Sequence, residues 1–380
     1  MKRIYLDHAA TSPVLPDVVK AMMPYYEDMF GNPSSIHHFG REARRGLDQA
    51  RERIAKGINA RFHEIIFTSG GTEADNLAVI GYATAHQQKG KHVITTQVEH
   101  HGILHTFEFL EKQGFDVTYL PVDETGRVSA DQVKKALRDD TTVVSVMFGN
   151  NEVGTVQPIA EIGRLLTDHQ AVFHTDAVQA FGMEEIDVRE LHVDMLSVSA
   201  HKINGPKGIG FLFLKAGLSV TPGLFGGEQE RKRRAGTENV AAIVGMEKAV
   251  ALALEDRIEK RETYEAFRSQ LLSIFEEEGL HFHVNGNTES HLPHILNVSF
   301  PGANVESMLT NLDIAGIAVS SGSACTAGSV EPSHVLSAMF PNDATRSQSA
   351  IRYSFGVGLT KEDITHAGKQ TARIVKRLVK

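Results

Sequence analysis

The run Leu196-Ser197-Val198-Ser199-Ala200-His201-Lys202-Ile203-Asn204-Gly205-Pro206-Lys207-Gly208-Ile209-Gly210 decides how the rest of the chain is read. Met195, Leu196 and Val198 lead into Ser199, His201 and Lys202; a glycine and proline turn follows, and a second apolar run covers 209–214. Apolar runs on either side of a Gly/Pro break predict strand, loop, strand. A lysine at the mouth of such a loop stands on fixed backbone between buried strands. That setting suits an amine that is partly desolvated, gives up its proton and forms a Schiff base with an aldehyde. Most loop lysines are simply solvated, and Lys207, between Pro206 and Gly208, is read that way.

Outward from this loop the chain alternates regularly. Strands are predicted over 64–69, 92–96, 117–122, 142–148 and 172–176, and helices over 72–86, 103–113, 131–137 and 159–169. This alternation implies an α/β fold with a mostly parallel central sheet and helices on both faces. Upstream come a short strand over 4–6, a helix over 17–29 with Pro16 in its first turn, a turn-rich loop over 30–38 and a charged amphipathic helix over 41–58. Downstream, 238–278 reads as one long helical connector. Strands over 295–300, 317–320 and 351–355, a helix over 305–312 and a basic C-terminal helix follow. The expected division is a large α/β domain over 16–255 and a smaller α+β domain built from 1–15 and 256–380.

Composition narrows the function classes. The chain has 380 residues and a formal charge of −8, which argues against bulk electrostatic binding of nucleic acid. No apolar run approaches the roughly 20 residues needed to span a bilayer. The start, Met1-Lys2-Arg3-Ile4-Tyr5-Leu6-Asp7-His8, turns acidic too soon for a signal peptide. One cysteine, Cys325, rules out an intramolecular disulfide framework and makes a reducing, cytoplasmic compartment the expectation.

Several strand ends carry chemistry-bearing residues. The run 68–76, T-S-G-G-T-E-A-D-N, follows a strand and opens a helix. Glycines and successive N–H groups at a helix start make an anion cradle to which Thr72 adds a hydroxyl; a plain strand–helix turn with Thr72 near the cap is the alternative. In 174–179, H-T-D-A-V-Q, Asp176 falls at the carboxyl edge of the sheet, where it could hold a protonated pyridine nitrogen or merely cap a turn. Gln179 lies three residues on. After the strand 92–96 stand His100 and His101; a histidine here could stack on a ring and shuttle protons. A metal pair is a competing reading, and no H-E-x-x-H or cysteine spacing accompanies it. Asn151, in N-N-E-V-G, could hydrogen-bond a ring hydroxyl or a substrate carboxylate. Cys325 lies in S-S-G-S-A-C-T-A-G-S, a composition that cannot form a packed core, so a reactive, exposed thiol is expected. Arg352, inside an apolar strand, needs an anionic partner: a substrate carboxylate or an internal acid. The basic run 231–234 is either a solvated loop or a reach toward a phosphate in a neighbouring subunit.

An anion cradle, a strand-end aspartate, a strand-end histidine and a strand–loop–strand lysine together match one cofactor, pyridoxal 5'-phosphate. With the Cys325 loop added, the chain closely resembles the cysteine desulfurases of the iron–sulfur-cluster and nitrogenase-maturation type, which are pyridoxal-phosphate enzymes of fold type I. The resemblance runs from Y-L-D-H-A-A-T at 5–11 to I-R-Y-S-F-G at 351–356, and includes S-x-H-K-x-x-G-P-K-G at 199–208. It implies that Lys202 is the Schiff-base lysine and that Gly71, Thr72, Ser199 and His201 hold the phosphate, with Thr237 contributed by the partner in a homodimer. It also implies Asp176 on the ring nitrogen, Gln179 and Asn151 at the ring hydroxyl, and His100 stacked on the ring. Arg352 with Asn151 would hold the carboxylate of L-cysteine, and Cys325 would take its sulfur as a persulfide. Many relatives have Ala at the Gly71 position and Tyr at the His8 position; neither difference touches the chemistry.

The chain stops at Lys380, soon after its last predicted helix. The resemblance associates docking of an iron–sulfur scaffold with a longer tail, so a tRNA-thiolation enzyme or another dedicated acceptor is expected at least equally. An aminotransferase would share Lys202 and Asp176 but has no use for the Cys325 loop. A selenocysteine lyase, or a sulfur-relay protein without turnover, is the remaining alternative.

Overall fold

The computed structural model describes residues 2–321 and 332–379. Its strands, in chain order, are β1 (Ile4–Tyr5), β2 (Ile65–Thr68), β3 (His92–Thr96), β4 (Asp116–Leu120), β5 (Thr141–Ser145), β6 (Val172–Asp176), β7 (Met195–Ser199), β8 (Gly210–Leu214), β9 (His283–Asn285), β10 (Ile295–Ser299), β11 (Ile317–Ala318) and β12 (Ala350–Ser354). Seven of them form one sheet in the order β2-β8-β7-β6-β5-β3-β4. Only β8 runs against its neighbours, pairing antiparallel with both β2 and β7. The short Gly/Pro turn after Lys202 dictates this, because a parallel return would need a longer crossover.

The sheet is buried on both faces. Leu196, Val198, Phe211 and Phe213 enter one core, and Met195, Leu212, Leu214, Val143 and Val172 the other. Successive side chains of a strand point to opposite faces, so apolar residues on both parities give the continuous apolar runs read from the sequence. The lysine between β7 and β8 is thereby fixed at the sheet's edge.

A further core, away from the seven-stranded sheet, gathers Ile4 and Leu6 with Leu271, Phe275, Leu296, Val298, Phe300, Ile351 and Tyr353. Here β10 lies between β12 and β9, antiparallel to both, while β1 pairs in parallel with β11.

Three expectations change. The single helix over 17–29 is two, Pro16–Met22 and Pro24–Glu27, because Pro24 starts a new first turn. The connector over 238–278 is also two helices, Val240–Glu255 and Arg257–Glu277, separated at Asp256. Strand β9 and the helices His334–Met339 and Ala344–Gln348 are additions that the sequence pattern did not announce.

Candidate active site

At the carboxyl ends of β3, β5, β6 and β7 lies a cavity of about 370 Å³, within the roughly 300–1,000 Å³ typical of small-molecule sites. Ten of the sequence-predicted residues line it: Gly71, Thr72, His100, Asn151, Asp176, Gln179, Ser199, His201, Lys202 and Arg352. Two do not. Thr237 is exposed in the segment ahead of the Val240–Glu255 helix, and Cys325 lies outside the described residues.

Lys202 ends a one-turn 3₁₀ segment, Ala200–Lys202, directly after β7. Its Nζ donates to the carbonyl oxygens of Ala9 (2.5 Å) and Ala10 (2.8 Å), so the N-terminal segment steers the amine. Gln179 Nε2 donates to the same Ala9 carbonyl at 2.9 Å. The cradle is the start of the Gly71–Ala85 helix. Its N-cap is Gly70, and no side chain caps it. Thr72 is therefore inside the first turn rather than the cap, and the helix start keeps its N–H groups and partial positive charge for an anion. A Cβ on Gly71 would come within 2.8 Å of the Val178 Cγ2 methyl, a contact that a small side-chain shift can relieve. His201, on the cradle's far side, pairs through Nδ1 with Thr11 Oγ1 at 3.1 Å; burial first, then the charge of Lys202, pushes its pKa to about 4.

Asp176 closes β6. Its Oδ1 accepts the Val178 N–H at 2.9 Å. Burial pushes its pKa up to about 6, against the pull of that N–H and of Lys202. A cationic ring nitrogen facing it would reverse the burial effect and keep it ionised. Behind Asp176 lies a buried polar stack. His174 joins Ser145 Oγ and Ser197 Oγ, both at 2.9 Å, and its Nε2 is 3.6 Å from Asp75 Oδ1. Burial, then the charge of Asp176, drives the Asp75 carboxyl well above the usual range, which favours its neutral form behind Asp176.

His100 caps the His101–Lys112 helix: its Nδ1 accepts the Gly102 N–H at 3.0 Å. The ring proton therefore sits on Nε2. Burial, followed by the charge of Lys202, lowers its pKa to about 4. Neutral in this tautomer, His100 offers the cavity an N–H and no lone pair.

Arg352 in β12 is buried. Nη2 donates to Asp7 Oδ1 at 2.8 Å and Nη1 to the Asn151 carbonyl at 2.9 Å. The internal acid that the sequence left open is thus Asp7. Yet Arg352 Nε and Asn151 Oδ1 are buried with no partner among the described residues. Buried polar atoms are rarely left unpaired, so these two mark where polar groups of a ligand belong. A lysine amine, an uncapped helix start, a buried carboxyl and orphaned donor and acceptor atoms fit a phosphate-bearing pyridine aldehyde and an amino-acid carboxylate.

Some lining residues escaped the sequence reading. Asp75 follows Thr72 by three positions, on the same helix face, a spacing that was legible. Glu152, inside N-N-E-V-G, accepts from Ser333 Oγ at 2.5 Å and lies 3.9 Å from His334 Nδ1. His334, whose ring is 4.7 Å from that of His101, had no sequence signal at all. Among the described residues no cluster of three metal-ligating side chains forms.

The aminotransferase class-V family model matches residues 4–366. A Bacillus subtilis (strain 168) protein, provisionally named a cysteine desulfurase, is 61% identical over 378 residues, covering 100% of both chains. The cysteine desulfurase IscS of Dictyoglomus turgidum (strain DSM 6724 / Z-1310) is 48% identical, covering 100% of this chain and 96% of its own. The chain belongs to the class-V aminotransferase family, on its cysteine desulfurase branch. Desulfurases of this branch are pyridoxal-phosphate enzymes, and the fold agrees. A solved structure described as a NifS-like protein superposes with a TM-score of 0.93 at 36% identity, covering 99% of this chain and 100% of the other. No helix among the described residues is long and apolar enough to cross a membrane.

Proposed function

We propose that the chain moves the sulfur of L-cysteine onto Cys325 as a persulfide, releases L-alanine and hands the sulfur to an acceptor protein. The observation that supports this reading is the one cavity that brings Lys202, Asp176, His100, the uncapped helix start and Arg352 together. Bound pyridoxal phosphate supplies the electron sink for bond breaking next to the substrate amine. Gly71, Thr72, Ser199 and His201 would hold its phosphate, with Thr237 reaching in from a second copy of the chain. Asp176 would hold its ring nitrogen, Gln179 and Asn151 its ring hydroxyl, and His100 its ring face.

Each residue then has a defined task. Lys202 Nζ takes and returns the proton at the substrate Cα. Arg352, with Nε still unpaired, clamps the substrate carboxylate beside Asn151. His100, with its proton on Nε2, hydrogen-bonds a thiolate rather than accepting a thiol proton. The Cys325 thiolate attacks the substrate sulfur. One S–S bond forms as the Cβ–S bond breaks, and the electron pair stays on the carbon skeleton, which is protonated to alanine. The working unit in this proposal is a cytoplasmic homodimer. Each chain is read as a large unit over 16–255 and a smaller one from 1–15 and 256–380. The acceptor is a tRNA-thiolation enzyme or an iron–sulfur scaffold.

The test is an assay for sulfide and alanine from L-cysteine. Cys325→Ala is expected to keep the visible absorbance of the bound cofactor and lose sulfide release; full release would overturn the nucleophile assignment. Lys202→Ala is expected to lose borohydride fixation of the cofactor to the protein, and persistent fixation would move that role elsewhere.

A further inference from the structure

The segment over 228–237 is strained and tightly held. Glu230, Arg231 and Lys232 are three successive non-glycine residues with left-handed backbone (φ 46°, 57° and 66°), a conformation L-residues avoid. The segment keeps it because its neighbours fix it. Buried Arg51 grips Glu230 with two hydrogen bonds of 2.7 and 2.6 Å. The Phe67 N–H donates to the same carboxylate at 3.2 Å. Arg233 reaches the His63 carbonyl at 3.0 Å, and Gln229 Oε1 accepts the Gly236 N–H at 3.1 Å. Strain held in this way points to a functional demand on the segment.

One anchor leads to the cradle itself. Arg234 grips Glu73 through Nε (2.8 Å) and Nη2 (3.3 Å), with both side chains about four-fifths buried (22% and 20% exposed). Glu73 follows Thr72 in the first turn of the cradle helix, and its carboxylate also accepts the Ser69 N–H at 2.7 Å. Three residues beyond Arg234 stands exposed Thr237.

We infer that the Glu73–Arg234 ion pair is a positioning strut that ties the anion cradle to the 228–237 segment, so that filling the cradle steadies Thr237 for presentation to a second copy of the chain. The coupling has a definite sign. An anion in the cradle lies beside the Glu73 carboxylate and repels it. Arg234 offsets that repulsion and is itself drawn more strongly once two negative charges face it. Filling the cradle and ordering the segment therefore favour each other, and by linkage the effect is reciprocal. The delivery of Thr237 rests on the homodimeric reading; the strut itself lies within one chain.

The experiment is hydrogen exchange read by mass spectrometry on cofactor-free protein, with inorganic phosphate or pyridoxal phosphate added until exchange over 69–76 stops slowing. In the wild type, exchange over 228–238 is expected to slow by at least about fivefold on filling. In Glu73→Gln, which keeps an acceptor for the Ser69 N–H, and separately in Arg234→Gln, that slowing should vanish while 69–76 is still slowed. Undiminished slowing over 228–238 in either variant, or none in the wild type, would overturn the strut. Sedimentation velocity runs in parallel. A monomer at every concentration would remove the dimeric reading, and a loss of slowing in the variants would still establish the strut.

Discussion

At the scale of single residues, the site is a set of groups held away from their ordinary ionisation by burial. Glu99 shows the logic most simply. Its Oε1 accepts from Thr96 Oγ1 at 2.8 Å and from the Met147 N–H at 2.9 Å, while Oε2 is buried without a partner. Burial raises its pKa to about 8, against those two donors and with some help from Asp176. In the unfolded chain the same carboxyl ionises near pH 4.5. Between those values the folded state carries the extra proton, so stability falls as pH rises from about 4.5 to about 8 and levels off above. Glu99→Gln removes this dependence. Urea unfolding of variant and wild type should show the difference between them shifting in the variant's favour by on the order of 1 kcal/mol per pH unit from pH 5 to pH 8. A constant difference across that range would mean that Glu99 is ionised in the fold. His100 is the opposite case, an imidazole kept neutral far below its usual range. This turns an N–H, and not a base, toward the cavity, a distinction that no residue name carries.

At the scale of elements, the regular part of the fold was legible because its physics is local. β3 and β6 fall where the sequence puts them, over 92–96 and 172–176, since each is a β-branched and apolar run closed by polar residues. The antiparallel β7–β8 pair follows from the short turn after Lys202. What stayed hidden depended on partners distant in sequence. β9, His-Val-Asn, closes an apolar–polar alternation over 280–285 too short to stand out, and its pairing with β10 holds it as a strand. The anchoring of Arg352 by Asp7 spans 345 residues, and no spacing rule connects them. His334 and Glu152 join the cavity by the same kind of long-range closure. The basic run over 231–234 was read as solvated or reaching outward, whereas Arg233 and Arg234 turn inward to His63 and Glu73. The element most dependent on such a partner is the left-handed turn at 230–232. Arg51→Gln leaves the Glu230 carboxylate buried without its counter-charge. It should cost about 3–5 kcal/mol in urea unfolding, and the double change Arg51→Gln with Glu230→Gln should cost less than the two single changes summed. Additivity within about 0.5 kcal/mol would show that the pair does not act as a unit.

At the scale of the whole molecule, the two senses of buried ionisation compete. His8, His100, His201, His174 and His294 are held neutral, with pKa values lowered chiefly by burial to about 4, 4, 4, 3 and 3. For each, the unfolded chain takes up a proton below pH 6.5 that the folded chain refuses, so stability falls as pH drops from 6.5. Asp176 and Glu99, raised to about 6 and 8, and Asp75, raised further from its usual range, act in the other direction and lose stability as pH climbs above 4. Between pH 4.5 and 6 the five imidazoles outweigh the acids, so stability rises with pH over that range. The imidazoles cease to contribute about one pH unit above 6.5, and Glu99 then sets a downward slope up to about pH 8. The cofactor-free protein should therefore be most stable near about pH 7 and weaken on both sides, as read from urea midpoints at constant ionic strength. A cationic ring nitrogen facing Asp176 would remove the Asp176 contribution between about pH 4 and 6 and so steepen the acid side. A cofactor-free stability that still climbs from about pH 7 to about pH 8 would show that Glu99 is ionised in the folded chain.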